Sequence, residues 1–247
     1  MKKLRIVIIR KKHIYLTVQI ICLLLASSLL IHFCFRNPHT NIYTDSYSRV
    51  IVIDAGHGGI DGGASVGNLL EKDINLEIAK GLKAQLEPNG YTVIMTREED
   101  ISLDSLSETG SSRHLRDLTA RVNIINKSNA QLFISIHVNC NIRKPKTDGS
   151  IVFYSENFQQ NIPLADSIQR ALNSMTYNGK TRAIHDPQIA NYFILDNSKI
   201  PGVLVETAFI SNSAEQEFLA NSKYRETLAK SIAYGILQYL KPNSVFY

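Results

Sequence analysis

Three short apolar runs each end abruptly on a titratable side chain, and this recurrence most constrains the fold. Residues 50–53 (VIVI) run into Asp54 and a glycine-rich stretch holding His57, residues 132–136 (LFISI) run into His137, and residues 203–205 (VLV) run into Glu206. Runs this short and this apolar read as buried strands. Helical patterns lie between them. Ile74, Ile78, Leu82 and Leu86 recur every four residues and stop at Pro88-Asn89-Gly90; Leu115, Leu118, Val122 and Ile125 repeat the pattern. Further strands are read at 91–95, 149–154, 192–195 and 202–206, and further helices at 162–172, 213–219 and 224–240. Residues 98–114 read as a long polar loop. The alternation predicts a single α/β domain over residues 49–241, with a mainly parallel central sheet flanked by helices. In that class, sites form where strand C-termini open into loops.

The charge sits elsewhere. The chain carries 27 basic and 22 acidic residues, yet residues 1–36 hold seven of the bases and no acid, which leaves 20 bases against 22 acids for the rest. A nucleic-acid binder carries its positive charge on the folded domain, so that class is set aside. Six of those bases fall within the first twelve residues and precede an uncharged apolar run, residues 14–35. As a helix, that run would span about 33 Å, enough for a hydrocarbon core. The expectation is one N-terminal transmembrane helix, with the basic end in the cytoplasm and the remainder extracytoplasmic. A cleaved signal peptide is the rival reading, with Ala26-Ser27-Ser28 as its small residues, and it implies export too. Residues 37–48 read as a linker. Cys22 and Cys34 lie in the apolar run, so Cys140 has no disulfide partner in the domain.

Two histidines and one carboxylate, drawn from His57, Glu71, His137 and Glu206, match the donor set of a catalytic zinc site that leaves a fourth position for water. The glycines beside His57 allow the sharp turn that such a site needs. A carboxylate placed off the metal can take a proton from water and hand it to a leaving amine. Each residue also has a plainer role when taken alone. Either histidine fits a structural position, Glu71 fits the acid preference of a helix N-terminus, and Glu206 fits a salt bridge. Arg97 and Arg121 read as structural, His39, His114 and His185 as surface residues, and Cys140 as a poor ligand candidate. Asn139 and Asn212 read as groove-shaping at most.

Five segments occur in one order: 53–59 (IDAGHGG), 71–73 (EKD), 95–97 (MTR), 132–139 (LFISIHVN) and 205–212 (VETAFISN). Together they resemble the zinc-dependent N-acetylmuramoyl-L-alanine amidases of the amidase 3 type, across nearly all of residues 50–240. The resemblance implies one Zn²⁺ held by His57, Glu71 and His137, with Glu206 as catalytic acid/base. It implies peptidoglycan as substrate, with hydrolysis of the amide between N-acetylmuramic acid and L-alanine. The chain departs from the family pattern at Ala55 and Ala208, where proline and glycine are common; neither position is an implied ligand. The short form without wall-binding repeats looks similar to the sporulation and germination amidases that act on spore cortex.

Other chemistries fit less well. Residues 63–67 (GASVG) match the nucleophile-elbow pattern, but no strand precedes them. The glycine-rich stretch lacks the Gly-Lys-Ser/Thr ending of a phosphate loop. A Glu71–Glu206 glycosidase pair would leave both histidines idle. A non-catalytic wall-binding module and a zinc peptidase acting on the stem peptide remain as alternatives.

Overall fold

The computed structural model describes residues 48–241, together with single positions 15, 19 and 25. The anchor read at residues 14–35 and most of the linker lie outside the described residues. Among the described residues, no helix is long and apolar enough to cross a membrane.

The chain begins with β1 (Val50–Ala55), a hairpin of β2 (Ser65–Val66) and β3 (Leu69–Leu70), and helix α1 (Glu71–Leu86). Then come β4 (Thr92–Met95), α2 (Arg113–Lys127), β5 (Leu132–Asn139), β6 (Ile151–Tyr154) and α3 (Asn161–Asn173). A hairpin of β7 (Thr176–Tyr177) and β8 (Lys180–Thr181) follows, then β9 (Gln188–Ile189) and the short α4 (Phe193–Asn197). Strand β10 (Gly202–Phe209) and helices α5 (Ser213–Leu219) and α6 (Ser222–Leu240) complete it.

Six strands form one sheet in the order β4-β1-β5-β10-β6-β9. All neighbours run parallel except β10 and β6, which are antiparallel. The sheet is therefore mixed, with the expected parallel majority. A short antiparallel element suits this end, because β6 follows β5 through a loop rather than through a crossover helix.

The two-residue strand period divides the sheet into two faces. Ile51, Ile53, Ile134, Ile136, Val203 and Val205 face one side, where they pack with the apolar stripes of α1, α3 and α6. Val52, Phe133 and Leu204 face the other and meet Val122 and Ile125 of α2 and Ile194 and Leu195 of α4. On this second face the same alternation continues into Asp54, His137 and Glu206, in the C-terminal halves of their strands. Parallel register sets Glu206 opposite His137 on adjacent strands.

The strand read at 192–195 is instead the helix α4, preceded by Tyr192 in extended conformation. A four-residue apolar run does not separate strand from helix by period alone. Here the consecutive residues Ile194 and Leu195 are both buried within one turn, against the α2 side of the sheet.

Candidate metal centre

β1 delivers His57 through two buried arginines. The ladder continues one residue beyond the strand, with Gly56 N–H donating to the Ile136 carbonyl at 3.0 Å. The chain then turns at His57, which holds a left-handed φ of 60°. A non-glycine residue there is strained and needs outside restraint. Arg97 donates to the carbonyls of Ala55, Gly56, Lys72 and Glu99. Arg121 donates to the carbonyls of Ala55 (2.7 Å) and His57 (2.6 Å), and to the carboxylates of Asp54 (2.7 Å) and Asp117 (2.6 Å). Asp54 is 1% exposed and also accepts from Thr96 and Ser135. Burial pushes the Asp54 carboxyl up, but Arg121 and the two hydroxyls outweigh it and hold it at about 2. Both arginines are thus structural, as their sequence context suggests: they fix the loop that presents His57.

The first residue of α1 faces this loop. Glu71 Oε1 lies 3.2 Å from His57 Nε2 and 3.1 Å from His137 Nδ1, and accepts from Val138 N–H at 3.1 Å. Its Oε2 accepts from Ala64 N–H at 2.8 Å. Backbone donors on both oxygens prevent the carboxylate from swinging. One donor atom each from His57, Glu71 and His137 lie within 4.8 Å of one another. The close approach depends on missing side chains: a Cβ on Gly56 would sit 2.3 Å from His137 Cε1, and one on Gly63 would sit 2.6 Å from Glu71 Oε2.

These groups favour positive charge between them. Burial opposes charge on His57, but Glu71 and Asp61 outweigh it and hold the imidazole up at about 9. Burial likewise pushes Glu71 up, yet the His137 and His57 rings pull it far below the usual carboxylate range. In a tetrahedral zinc site with bonds of about 2.0–2.1 Å, neighbouring donor atoms lie roughly 3.3–3.4 Å apart. The His57–Glu71 and His137–Glu71 separations fit that spacing, and two nitrogens with one oxygen fit the ion's donor preference. Calcium, which takes six to eight oxygens, does not suit this set.

Asp61 is a site residue that sequence reasoning missed. Its Oδ2 lies 3.0 Å from His57 Nδ1, while Gly63 N–H donates to Oδ1 at 3.1 Å. A carboxylate on Nδ1 holds the proton there and leaves Nε2 free to bind a metal. The available signal was its place four residues after His57 in the same glycine-rich turn.

The three-residue cluster opens into a cleft of about 360 Å³. Glu206 lines it, and its buried Oε2 has no hydrogen-bond partner. Burial pushes Glu206 up to about 7; the His137 ring opposes this and the Glu71 carboxylate adds to it. Tyr192, Phe193 and Leu118 give the cleft an apolar wall. His114, read as a surface residue, also lines it and is largely exposed. Cys140 sits at the rim, exposed and outside the ligand cluster. Ser65 lies in the β2–β3 hairpin, with neither the strand nor the helix of a nucleophile elbow around it.

The family described as N-acetylmuramoyl-L-alanine amidase matches residues 51–238. The chain belongs to that family. Among amidase relatives, it is 41% identical over 192 residues to the germination-specific N-acetylmuramoyl-L-alanine amidase of Bacillus subtilis, covering 77% of this chain and 79% of that one. It is 34% identical to the N-acetylmuramoyl-L-alanine amidase LytC of the same organism, covering 78% of this chain but 36% of the longer relative. The fold matches the CwlD amidase of Clostridioides difficile, solved in complex with the GerS lipoprotein, with a TM-score of 0.68 and 36% identity. That match covers 77% of this chain and 98% of the other.

Proposed function

We propose that this chain hydrolyses the amide between N-acetylmuramic acid and L-alanine in peptidoglycan, using one zinc ion held by His57, Glu71 and His137. The convergence of those three side chains on one point beside Glu206 carries the reading. Zinc bound there supplies a Lewis acid that activates water and polarises a carbonyl. The chain's own residues do the rest. Glu206 offers an unpartnered carboxylate oxygen inside the cleft, with its proton affinity raised by burial, as a group that must both accept and return a proton requires. It accepts a proton from the attacking water and delivers it to the departing alanine nitrogen. Asp61 keeps His57 in the metal-binding tautomer, and Arg97 and Arg121 hold the strained turn behind it.

Residues 49–241 form the catalytic domain in this reading. The basic, then apolar, residues 1–36 support membrane attachment with the domain facing the wall. The germination-specific name of the B. subtilis relative supports a cortex substrate.

Digestion of purified wall, followed by mass spectrometry of the fragments, tests the reading. New free alanine amino groups are expected, and their release should stop with chelator and resume with zinc. Glu206→Gln should retain the metal and lose roughly 10²–10⁴-fold in turnover. New reducing sugar ends, cuts within the stem peptide, or a Glu206→Gln enzyme of near-normal rate would each overturn it.

A further inference from the structure

We propose that the basic loop leaving β5 binds the free carboxylates of the stem peptide attached to the scissile amide, making this chain selective for acidic stems. The inference rests on the hydrolysis proposed above and adds a specificity element to it.

The loop is continuous with the cleft. Asn139 and Cys140 line the cleft, and the chain then passes through Ile142, Arg143, Lys144, Pro145 and Lys146, all exposed. Among the described residues elsewhere in the domain, eight cations have acidic partners and others, Lys80 and Lys127 among them, have none, so what marks this loop is three unpaired cations within four residues. Lys72 meets Asp100, Lys83 meets Glu98, Arg182 meets Glu215, Arg225 meets Glu77 and Lys230 meets Glu226. Among the described residues, no carboxylate lies within 4.0 Å of Arg143, Lys144 or Lys146. General basicity does not account for this run either, because the chain outside residues 1–36 has slightly more acids than bases.

The backbone beneath these cations is fixed. Asn141 N–H donates to Ser211 Oγ at 2.9 Å, and Lys144 N–H donates to the Asn141 carbonyl and to its Oδ1, each at 3.1 Å. Thr147 N–H donates to the Lys144 carbonyl at 3.0 Å. Asn212 caps α5 with its Oδ1, while its Nδ2 donates to the carbonyls of Lys146 and Thr147 at 3.1 and 3.2 Å. A ligand binding here does not have to order the loop first, which lowers the cost of binding.

The occupant follows from charge and reach. A stem peptide with free acidic side chains and a free C-terminus is an anion tethered to the reacting amide. Its three to five residues extend roughly 10–18 Å when drawn out. Arg143 lies six residues along the chain from His137, at most about 20 Å away. Each exposed charge contact is weak, and three together give roughly 10–30-fold discrimination that salt erodes.

The test compares two soluble muropeptides with one glycan, one with free stem carboxyls and one with those carboxyls amidated. The wild-type full chain, loaded with zinc, should favour the free acid by roughly 10–30-fold in kcat/KM at low ionic strength, and the ratio should shrink as salt rises. In Arg143→Gln/Lys144→Gln/Lys146→Gln the ratio should fall toward one, with the melting temperature checking that the exposed changes leave the fold intact. A wild-type ratio near one overturns the proposal. So does a variant that keeps the wild-type ratio, including one that slows both substrates equally. If the substitutions weaken only retention on poly(glycerol phosphate), with the ratio unchanged, the loop serves phosphate polymers and the proposal fails. Failure of the wild type to cut either muropeptide would instead refute the hydrolysis itself.

Discussion

Arg121→Met removes the guanidinium that neutralises Asp54 and fills a similar volume with apolar atoms. Asp54 is 1% exposed, so its carboxylate is left charged and buried. Breaking one side of a buried pair costs about 3–5 kcal/mol, and for a domain of this size that lowers the melting temperature by roughly 6–20 °C. The acid response should change as well. In the wild type, Asp54 is held at about 2 against an ordinary value of 3.8, a gap equivalent to about 2 kcal/mol. Because the folded-state value is depressed, that stability is present above about pH 4 and is lost as pH falls toward 2. Without Arg121, burial acts with less opposition and raises the carboxyl, so the variant's deficit should narrow as pH falls. Urea denaturation followed by circular dichroism, at pH 7 and in steps down to about pH 3, measures both effects. Adding Asp54→Asn to Arg121→Met should recover part of the loss, since it removes the stranded charge. A single-variant loss below about 1 kcal/mol would refute the argument. A double variant less stable than Arg121→Met alone would do the same.

Two further substitutions probe the centre directly. Asp61→Ala should keep the fold and weaken zinc affinity by about 10–100-fold, read by competition against a chromogenic chelator; unchanged affinity would remove Asp61 from its positioning role. Gly56→Ala places a methyl group 2.3 Å from His137 Cε1. It should cost about 1–3 kcal/mol of stability and displace the ring, with metal content by atomic absorption falling well below one per chain. Full occupancy would show that the loop accommodates the methyl.

The parts of the fold that repeat a period were legible in sequence. Ile74, Ile78 and Leu82 mark α1 because one helical face is buried, and the β1 and β5 runs mark themselves because both faces are covered. Tyr192 to Leu195 misled because a single helical turn is too short to display a period, and what selects helix there is packing on Val122 and Phe133. The two-residue strands β7, β8 and β9 carry too few side chains to leave a pattern. His57, Glu71, His137 and Glu206 were legible as polar groups that follow apolar runs or open a helix, although β5 and β10 continue past His137 and Glu206. Asp61 was not, because its role depends on how a glycine-rich turn folds back on itself. The contrast between Arg121 and Arg143 was also hidden, since sequence alone does not show which cation finds a carboxylate.

The three side chains of the centre come from segments that meet only after β1, β5 and α1 are all in place. His57 and His137 are eighty residues apart in sequence, a contour of roughly 260–290 Å in an extended chain. While unfolded, the polypeptide therefore has no preformed pocket for a metal ion. In the zinc reading proposed above, metal capture would require β1 paired with β5 and α1 docked beside them, so a held ion would report that part of the fold and not the outer strands.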